Sequence, residues 1–326
     1  VSRVTPMIPA RRGADERMLA WLPVPVEEIE DAPDCLDYAH WDGRGRYPTD
    51  PDRVDFYAPP LTKDISAIVR PLARMSRLRV FQALSAGVDH LLPHLRPEIT
   101  LCNARGVHDA GTAELALTLT LAALRGIPDF VRNQATGRWQ EGVRPSLFGA
   151  TVLIVGYGSI GAAIEERLHP FGCEVKRVAS RPRWVARGAV HSPSALGKLL
   201  PQADVVILSV SLTERTRHLA DAEFLGAMKD GALLVNAARG AVVDTDALLT
   251  ELTEGRLQAA LDVTDPEPLP AGHPLWSAPG VLISPHSGAF TSAASSHVND
   301  LLADQLRRFA QGHELANTVA TVAAAG

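Results

Sequence analysis

Ala150-Thr-Val-Leu-Ile-Val155 runs directly into Gly156-Tyr-Gly158-Ser-Ile-Gly161, and the reading of this junction decides the fold. A continuous apolar run suits a strand covered on both faces. In the loop, the first glycine makes a tight turn, the second lets backbone approach a pyrophosphate, and the third lets helix pack on strand. The helix N-terminus then supplies amide N–H groups and partial positive charge for the phosphate. A glycine-rich turn alone is a weak signal. Between a buried strand and a helix expected over 159–170, it reads as a dinucleotide-binding loop.

Downstream of this loop the pattern alternates. Strands are expected over 175–179, 204–209, 232–236, 258–263 and 281–284, and helices over 194–200, 221–228 and 245–254. Such alternation argues an α/β fold with a doubly wound parallel sheet and right-handed crossovers. Upstream, 54–57 and 79–84 read as strands, and 63–75 as a helix with Thr62 as its N-cap. Ala113, Leu117, Leu121 and Leu124 recur at helical spacing over 109–125, with Gly126 and Pro128 as the stop.

The chain has 326 residues, enough for about two domains. With 46% hydrophobic and 21% charged residues and a mean hydropathy of +0.03, it is too apolar for disorder. Its most apolar stretch, 115–124, covers about ten residues against the ~20 that span a bilayer, so no membrane association is expected. A net charge of -5 leaves no overall basic surface for nucleic acid. Cys35, Cys102 and Cys173 are scattered without a Cys-x-x-Cys pair, which argues against a disulfide framework or a metal site. The N-terminal stretch shows no apolar core of a secretory signal, and the expected location is cytoplasmic.

Which dinucleotide binds depends on the end of the second strand, where an NAD site carries Asp or Glu for the ribose 2′-OH. Counting ~20 residues on from the glycines reaches Glu174 and Lys176, but Glu174 precedes the expected strand and belongs to its wrong end. The C-terminal edge reads Ala179-Ser180-Arg181-Pro-Arg183, without a carboxylate. Ser180 can bond a 2′-phosphate, and Arg181 can pair with it. The expectation is NADP in preference to NAD. In the plainer reading the arginines are solvated and NAD is tolerated without its acid.

Three further strand ends carry reactive side chains: Asn236-Ala-Ala-Arg239-Gly240, Leu261-Asp262-Val263 with Glu267-Pro268, and Ser284-Pro285-His286-Ser-Gly288. Singly, each reads as a salt-bridge or capping residue. Together they follow strands on the edge where open α/β sheets bind ligands. With Ser85-Ala-Gly-Val-Asp89, Thr112-Ala-Glu114, Leu212-Thr-Glu-Arg-Thr216 and Met228-Lys229, they make the chain resemble the D-isomer-specific 2-hydroxyacid dehydrogenases from about residue 81 to 288.

The resemblance implies two Rossmann-like doubly wound parallel-sheet domains: a discontinuous substrate domain over 1–102 and 291–326, and a dinucleotide-binding domain over 103–290. It implies hydride transfer between NAD(P)H and a small 2-keto or 2-hydroxy acid. Arg239 is then the cation for the substrate carboxylate and keto oxygen, a role suited to a planar guanidinium whose charge never titrates away. His286 is the general acid, and the base in reverse; Glu267 orients it. Asp262 positions the nicotinamide carboxamide, and the backbone around Ser85, Ala86 and Gly87 takes the carboxylate. Besides Gly156, Tyr157, Gly158, Ser159, Ile160, Gly161, Ser180 and Arg181, the implied cofactor contacts are Ser209, Val210, Thr216, Ala237, Asp262, His286 and Gly288. No metal is implied.

By the same resemblance, 127–148 corresponds to a dimerisation arm, so a C2 homodimer is expected. Trp139 in that arm either shapes the neighbouring active site or is a dimer-core aromatic. Selectivity is expected from Tyr57, the loop at Ser85, His108 and Trp139. Glyoxylate or hydroxypyruvate is the first choice of substrate and a phosphoglycerate-like acid the second. Formate is disfavoured because formate dehydrogenases of this superfamily carry glutamine where Glu267 stands. A nucleotide-sensing, corepressor-like dimer is the alternative of another class. After His286 only 40 residues remain, too few for an added regulatory domain.

Overall fold

The computed structural model describes residues 16–62 and 64–319. The N-terminal stretch, Lys63 and the alanine-rich C-terminus lie outside the described residues. The chain divides into two compact units: one ends at His108 and resumes at Ser292, and the other is Asp109–Thr291.

In the first unit, strands β1 (Leu19–Leu22), β2 (Asp37–His40), β3 (Val54–Tyr57), β4 (Val80–Gln82) and β5 (Thr100–Cys102) form a parallel sheet in the order β2-β1-β3-β4-β5. Alternation of side chains puts Trp21, Tyr57 and Phe81 in one core, and Ala20, Leu22, Phe56 and Val80 in the other. The helix expected over 63–75 is shorter: α1 is Ile65–Val69, because Pro71 cuts it, and a 3-10 turn covers Leu72–Arg74. Its N-cap is Asp64, whose Oδ1 accepts from Ala67 N at 3.3 Å. Thr62 Oγ1 accepts from Asp64 N instead.

The second unit opens with α2 (Asp109–Arg125) and α3 (Ile127–Ala135), separated by Gly126 at φ +68°. Pro128 lies in the first turn of α3, where it needs no N–H partner, so the expected stop is also a new start. Then come β6 (Thr151–Val155), α4 (Ser159–Leu168), β7 (Glu174–Val178), the hairpin β8 (Arg183–Val185) and β9 (Gly188–Val190), α5 (Leu196–Leu199), β10 (Val205–Leu208), α6 (Ala222–Gly226), β11 (Leu233–Asn236), α7 (Thr245–Thr253), β12 (Gln258–Leu261) and β13 (Val281–Ile283). Six of these strands form a parallel sheet in the order β13-β12-β11-β10-β6-β7.

The apolar runs are continuous because both faces are buried. Leu153, Val155, Val206, Leu208 and Leu234 enter one core; Val152, Ile154, Val205, Ile207 and Val235 enter the other. Finally α8 (Ala294–Gln311) returns to the first unit, with Leu302, Leu306 and Phe309 in the same core as Phe56.

The first boundary falls at 108/109 rather than 102/103, for a local reason. Asn103 N donates to Asn317 O, Ala104 N to Ser85 O, and His108 Nε2 donates at 2.7 Å to Leu84 O. These bonds keep 103–108 with the first unit. No single helix among the described residues is long and apolar enough to cross a membrane.

Candidate active site

Gly156 leaves β6 at φ +105°, a backbone state that glycine adopts without penalty. A Cβ there would lie 2.5 Å from the Ser209 carbonyl carbon. Ser209, just after β10, donates from N to Val155 O at 2.8 Å and from Oγ to Gly156 O at 2.9 Å. At Gly161 a Cβ would stand 2.7 Å from Gly156 O, so helix and loop are in contact.

Gly158 differs. Its φ is an ordinary -94°, and a Cβ there would meet nothing within 4 Å. No packing within the protein demands glycine at 158, and the open space is what a pyrophosphate needs in order to approach the backbone. The i→i-4 bond from Ala162 N to Gly158 O begins α4, so the amides of Ser159, Ile160 and Gly161 have no intrahelical partner. These residues fit a dinucleotide phosphate.

At the adenosine end, Glu174 is the first residue of β7 and lies at the opposite end of that strand from Val178, beside the loop. Ser180 and Arg181 follow β7 and are exposed. The guanidinium seated on the glycine loop is that of Arg183. Its Nη2 donates to Tyr157 O at 2.6 Å, its Nη1 donates to Arg181 O at 3.3 Å, and its Cζ lies 5.7 Å from the centre of the Tyr157 ring.

Arg239, Glu267 and His286 follow β11, β12 and β13, which are adjacent and parallel, so all three leave the sheet at one edge. Gly240 brings the first two turns together: a Cβ on it would stand 1.9 Å from Thr264 O. Thr245 Oγ1 adds a bond to Asp265 O at 2.9 Å. Arg239 Nη1 donates to Ala238 O at 2.9 Å, which orients its fork.

His286 Nδ1 and Glu267 Oε1 are 2.7 Å apart. An ionised carboxylate can only accept, so Nδ1 carries the proton toward Glu267 and Nε2 is left for other chemistry. His286 sits at φ +56°, a left-handed conformation that costs a non-glycine residue roughly 1–2 kcal/mol. Asp262 holds it there. Its Oδ1 accepts from Ser284 Oγ at 2.6 Å and Ser287 N at 2.8 Å, its Oδ2 accepts from Gly288 N at 3.1 Å, and its carbonyl accepts from His286 N at 2.7 Å. The turn is over-determined, which is what lets a strained backbone conformation persist. The resemblance assigns Asp262 to the carboxamide; in the structure both its oxygens organise the histidine turn, which the motif did not disclose.

A family model described as "D-isomer specific 2-hydroxyacid dehydrogenase, NAD binding domain" matches residues 117–288. The chain belongs to the D-isomer-specific 2-hydroxyacid dehydrogenases. As a member of that family it is an NAD(P)-dependent oxidoreductase. This dehydrogenase is 35% identical over 257 residues to a glyoxylate reductase of Thermofilum pendens, covering 76% of this chain and 75% of that one. It is 33% identical over 257 residues to a D-3-phosphoglycerate dehydrogenase of Methanocaldococcus jannaschii, covering 76% of this chain and 48% of that one. Among solved structures, a D-isomer-specific 2-hydroxyacid dehydrogenase of Xanthobacter autotrophicus in complex with NADPH and MES superposes with a TM-score of 0.77 at 28% identity, covering 93% of this chain and 98% of that one.

The remaining candidate residues of the dehydrogenase fall in several places. Ser85, Ala86 and Gly87 lie in the first unit, in a loop after β4. Ser85 Oγ donates to Gly87 O at 2.9 Å, and Asn103 Nδ2 to Ala86 O at 2.8 Å. Val210 follows Ser209, and Ala237 N donates to Leu208 O. The Thr216 hydroxyl is engaged in its own turn, donating to Ser211 O at 2.6 Å and accepting from Thr213 N at 2.8 Å. Tyr57 departs from expectation. It is fully buried, its OH donates to Ile68 O, and its ring packs edge-on against Phe81, so it is a core residue rather than a selectivity residue. Trp139 is 90% exposed in the chain by itself.

Proposed function

We propose that this protein reduces a small 2-keto acid, glyoxylate or hydroxypyruvate, to the corresponding 2-hydroxy acid (the D isomer in the case of hydroxypyruvate), with NADPH as the preferred cofactor. The observation that carries this reading is the His286–Glu267 pair at 2.7 Å, two strands and one strand along from Arg239 on the ligand edge of the sheet. The dinucleotide, when bound, supplies the hydride. Arg239 binds the substrate carboxylate and draws charge toward the keto oxygen. His286 gives its Nε2 proton to that oxygen as negative charge builds there, and in reverse takes it from the hydroxyl. Glu267 keeps the ring oriented and stabilises the imidazolium that alternates with the neutral form.

NADPH is preferred in this reading because the β7 edge carries no carboxylate and Arg183 stands on the glycine loop. The NADPH complex of the Xanthobacter relative agrees. The first unit serves the substrate and the second the dinucleotide. Phe130, Val131, Val143 and Phe148 are exposed within 127–148, which supports a homodimer formed through that arm. Three free cysteines suit a reducing compartment, and the protein is read as cytoplasmic.

His286→Ala tests the reading. Turnover with NADPH and glyoxylate should fall by about 10²–10⁴-fold, while NADPH binding, followed by fluorescence titration, stays intact. Unchanged turnover removes His286 from the proton transfer. The likeness to a phosphoglycerate dehydrogenase favours a second reading. It prevails if 3-phosphoglycerate, oxidised with NADP or NAD, is turned over more efficiently than glyoxylate or hydroxypyruvate.

A further inference from the structure

Beneath the glycine loop lies an ion pair that proton transfer does not use. Glu165 on α4 and Arg177 on β7 are 3% and 8% exposed. Arg177 Nε donates to Glu165 Oε2 at 2.8 Å, and Arg177 Nη2 donates to Glu165 Oε1. The Tyr157 hydroxyl, also buried, donates to Glu165 Oε2. Arg177 and Arg183 each place Cζ within 5.8 Å of the Tyr157 ring centre, so two guanidinium groups flank one ring.

Stability alone is a poor reason for such a pair, since apolar residues of similar volume often serve a core as well or better. Burial pushes the Glu165 carboxyl up, but the bonds from Arg177 and Tyr157 outweigh it and hold the group below the usual carboxylate range. Burial pushes the Tyr157 hydroxyl up, so it remains a donor. Arg187 adds a further positive field on Glu165.

What the pair secures is Tyr157, the residue between the first two glycines of the loop. Gly156 N and Tyr157 N both donate to Val178 O at 2.9 Å. The Tyr157 ring is held from below, and its carbonyl accepts from Arg183 Nη2 at 2.6 Å. The hairpin carrying Arg183 is docked on β7 through His191 N to Arg177 O at 2.8 Å and Ala179 N to His191 O at 3.0 Å. Arg183 therefore has a seat whose shorter bond, to the Tyr157 carbonyl, rests on the residue that the buried pair holds. A guanidinium carries five N–H groups in a plane. Two bonds to the carbonyls of Tyr157 and Arg181 set that plane and leave other N–H groups of the fork to address a phosphate.

We propose that Glu165, Arg177 and Tyr157 are positioning residues that hold Arg183 over the glycine loop as the group selecting a 2′-phosphate on the adenosine ribose. This rests on the NADPH reading above. Both arginines are exposed; the selection is assigned to Arg183, which is bonded to the loop, rather than to Arg181, and its origin is placed on the buried side of the loop.

The test is calorimetric titration of the whole protein with adenosine 2′,5′-bisphosphate and with adenosine 5′-monophosphate, so that no turnover is needed. The parent should bind the bisphosphate at least about tenfold more tightly, the effect of one charge-assisted contact. Arg183→Ala should abolish that preference and leave monophosphate affinity within about twofold; Arg183→Lys should restore part of it. Tyr157→Phe and Glu165→Gln should each weaken bisphosphate binding about three- to tenfold at constant monophosphate affinity. Thermal melts confirm that each variant is folded, and Tyr157→Phe, which keeps ring and carbonyl, serves if Glu165→Gln does not fold. A parent without preference overturns the NADPH reading and this role with it. A parent preference that survives Arg183→Ala and is lost in Arg181→Ala leaves the NADPH reading standing and sinks this one. Equal losses for both ligands in Tyr157→Phe and Glu165→Gln reduce the pair to a structural support and overturn the positioning claim.

Discussion

Replacing Gly240 by alanine adds one methyl group at the point where two turns of the proposed active site touch. Its Cβ would stand 1.9 Å from Thr264 O, 2.2 Å from Thr264 C and 2.7 Å from Asp265 N, all backbone atoms that cannot swing aside. Ordinary contact begins near 3.4 Å, so the turn bearing Arg239 and the segment leading to Glu267 must separate by about 1.5 Å. A misplacement of about 1 Å can cost about 10²-fold in rate when reacting groups depend on alignment. Overpacking a tight contact costs about 1–3 kcal/mol, or several degrees of melting temperature. The expected result for Gly240→Ala is a folded protein with kcat/KM for glyoxylate lower by about 100-fold or more. NADPH affinity should stay near the parent's, because the glycine loop leaves a different strand. The assay is steady-state NADPH oxidation beside a fluorescence titration and a thermal melt. A kcat/KM within about threefold of the parent, in a variant that melts lower, would refute the idea that this contact sets the register of Arg239 and Glu267.

Gly158→Ala is the complementary case. With nothing within 4 Å of the added methyl group, stability should change by less than about 0.5 kcal/mol, while NADPH binding weakens at least about tenfold; a melt and a titration check both, and intact binding would mean that no phosphate approaches there. The Glu165 carboxyl is lowered in the folded state, so its contribution to stability is full above its unfolded value near 4.5 and fades as pH falls through the folded value. The stability gap between parent and Glu165→Gln, read from melts at successive pH values, should therefore shrink below about pH 4.5; a gap that persists unchanged into strong acid contradicts the assignment. Val131, 61% exposed on α3, would meet the partner twice over in a C2 dimer, so Val131→Asp should shift sedimentation from dimer to monomer. A monomeric parent would overturn the arm's role.

Much of the second unit was legible because its strands are buried on both faces, which writes them as unbroken apolar runs. Asp109–Arg125 appears with the expected bounds, as Val54–Tyr57 does in the first unit, and the expected strands of the second unit shift by a residue or two at their ends. The first unit was harder to read. Leu19–Leu22, Asp37–His40 and Thr100–Cys102 are only three or four residues long, too short for any period to show. The hairpin 183–190 carries an exposed tryptophan and two arginines, a composition that reads as loop. Its two strands pair with each other, and a single bridge between Val178 and His191 sets the residue after them beside the end of β7.

At the site, the residue types and their chemistry were in the chain order: a glycine loop after a strand, then an arginine, a glutamate and a histidine each after a strand. These are local patterns, and side-chain chemistry travels with the residue. What tertiary structure decided are relations between backbones far apart in sequence. The left-handed turn of His286 is held by Asp262, Arg239's turn is pressed against Thr264 through Gly240, and Arg183 is seated on Tyr157 above a buried Glu165–Arg177 pair. Each depends on close approach across 24 to 26 positions or on a buried charge finding its partner, and a linear sequence records neither distance nor burial.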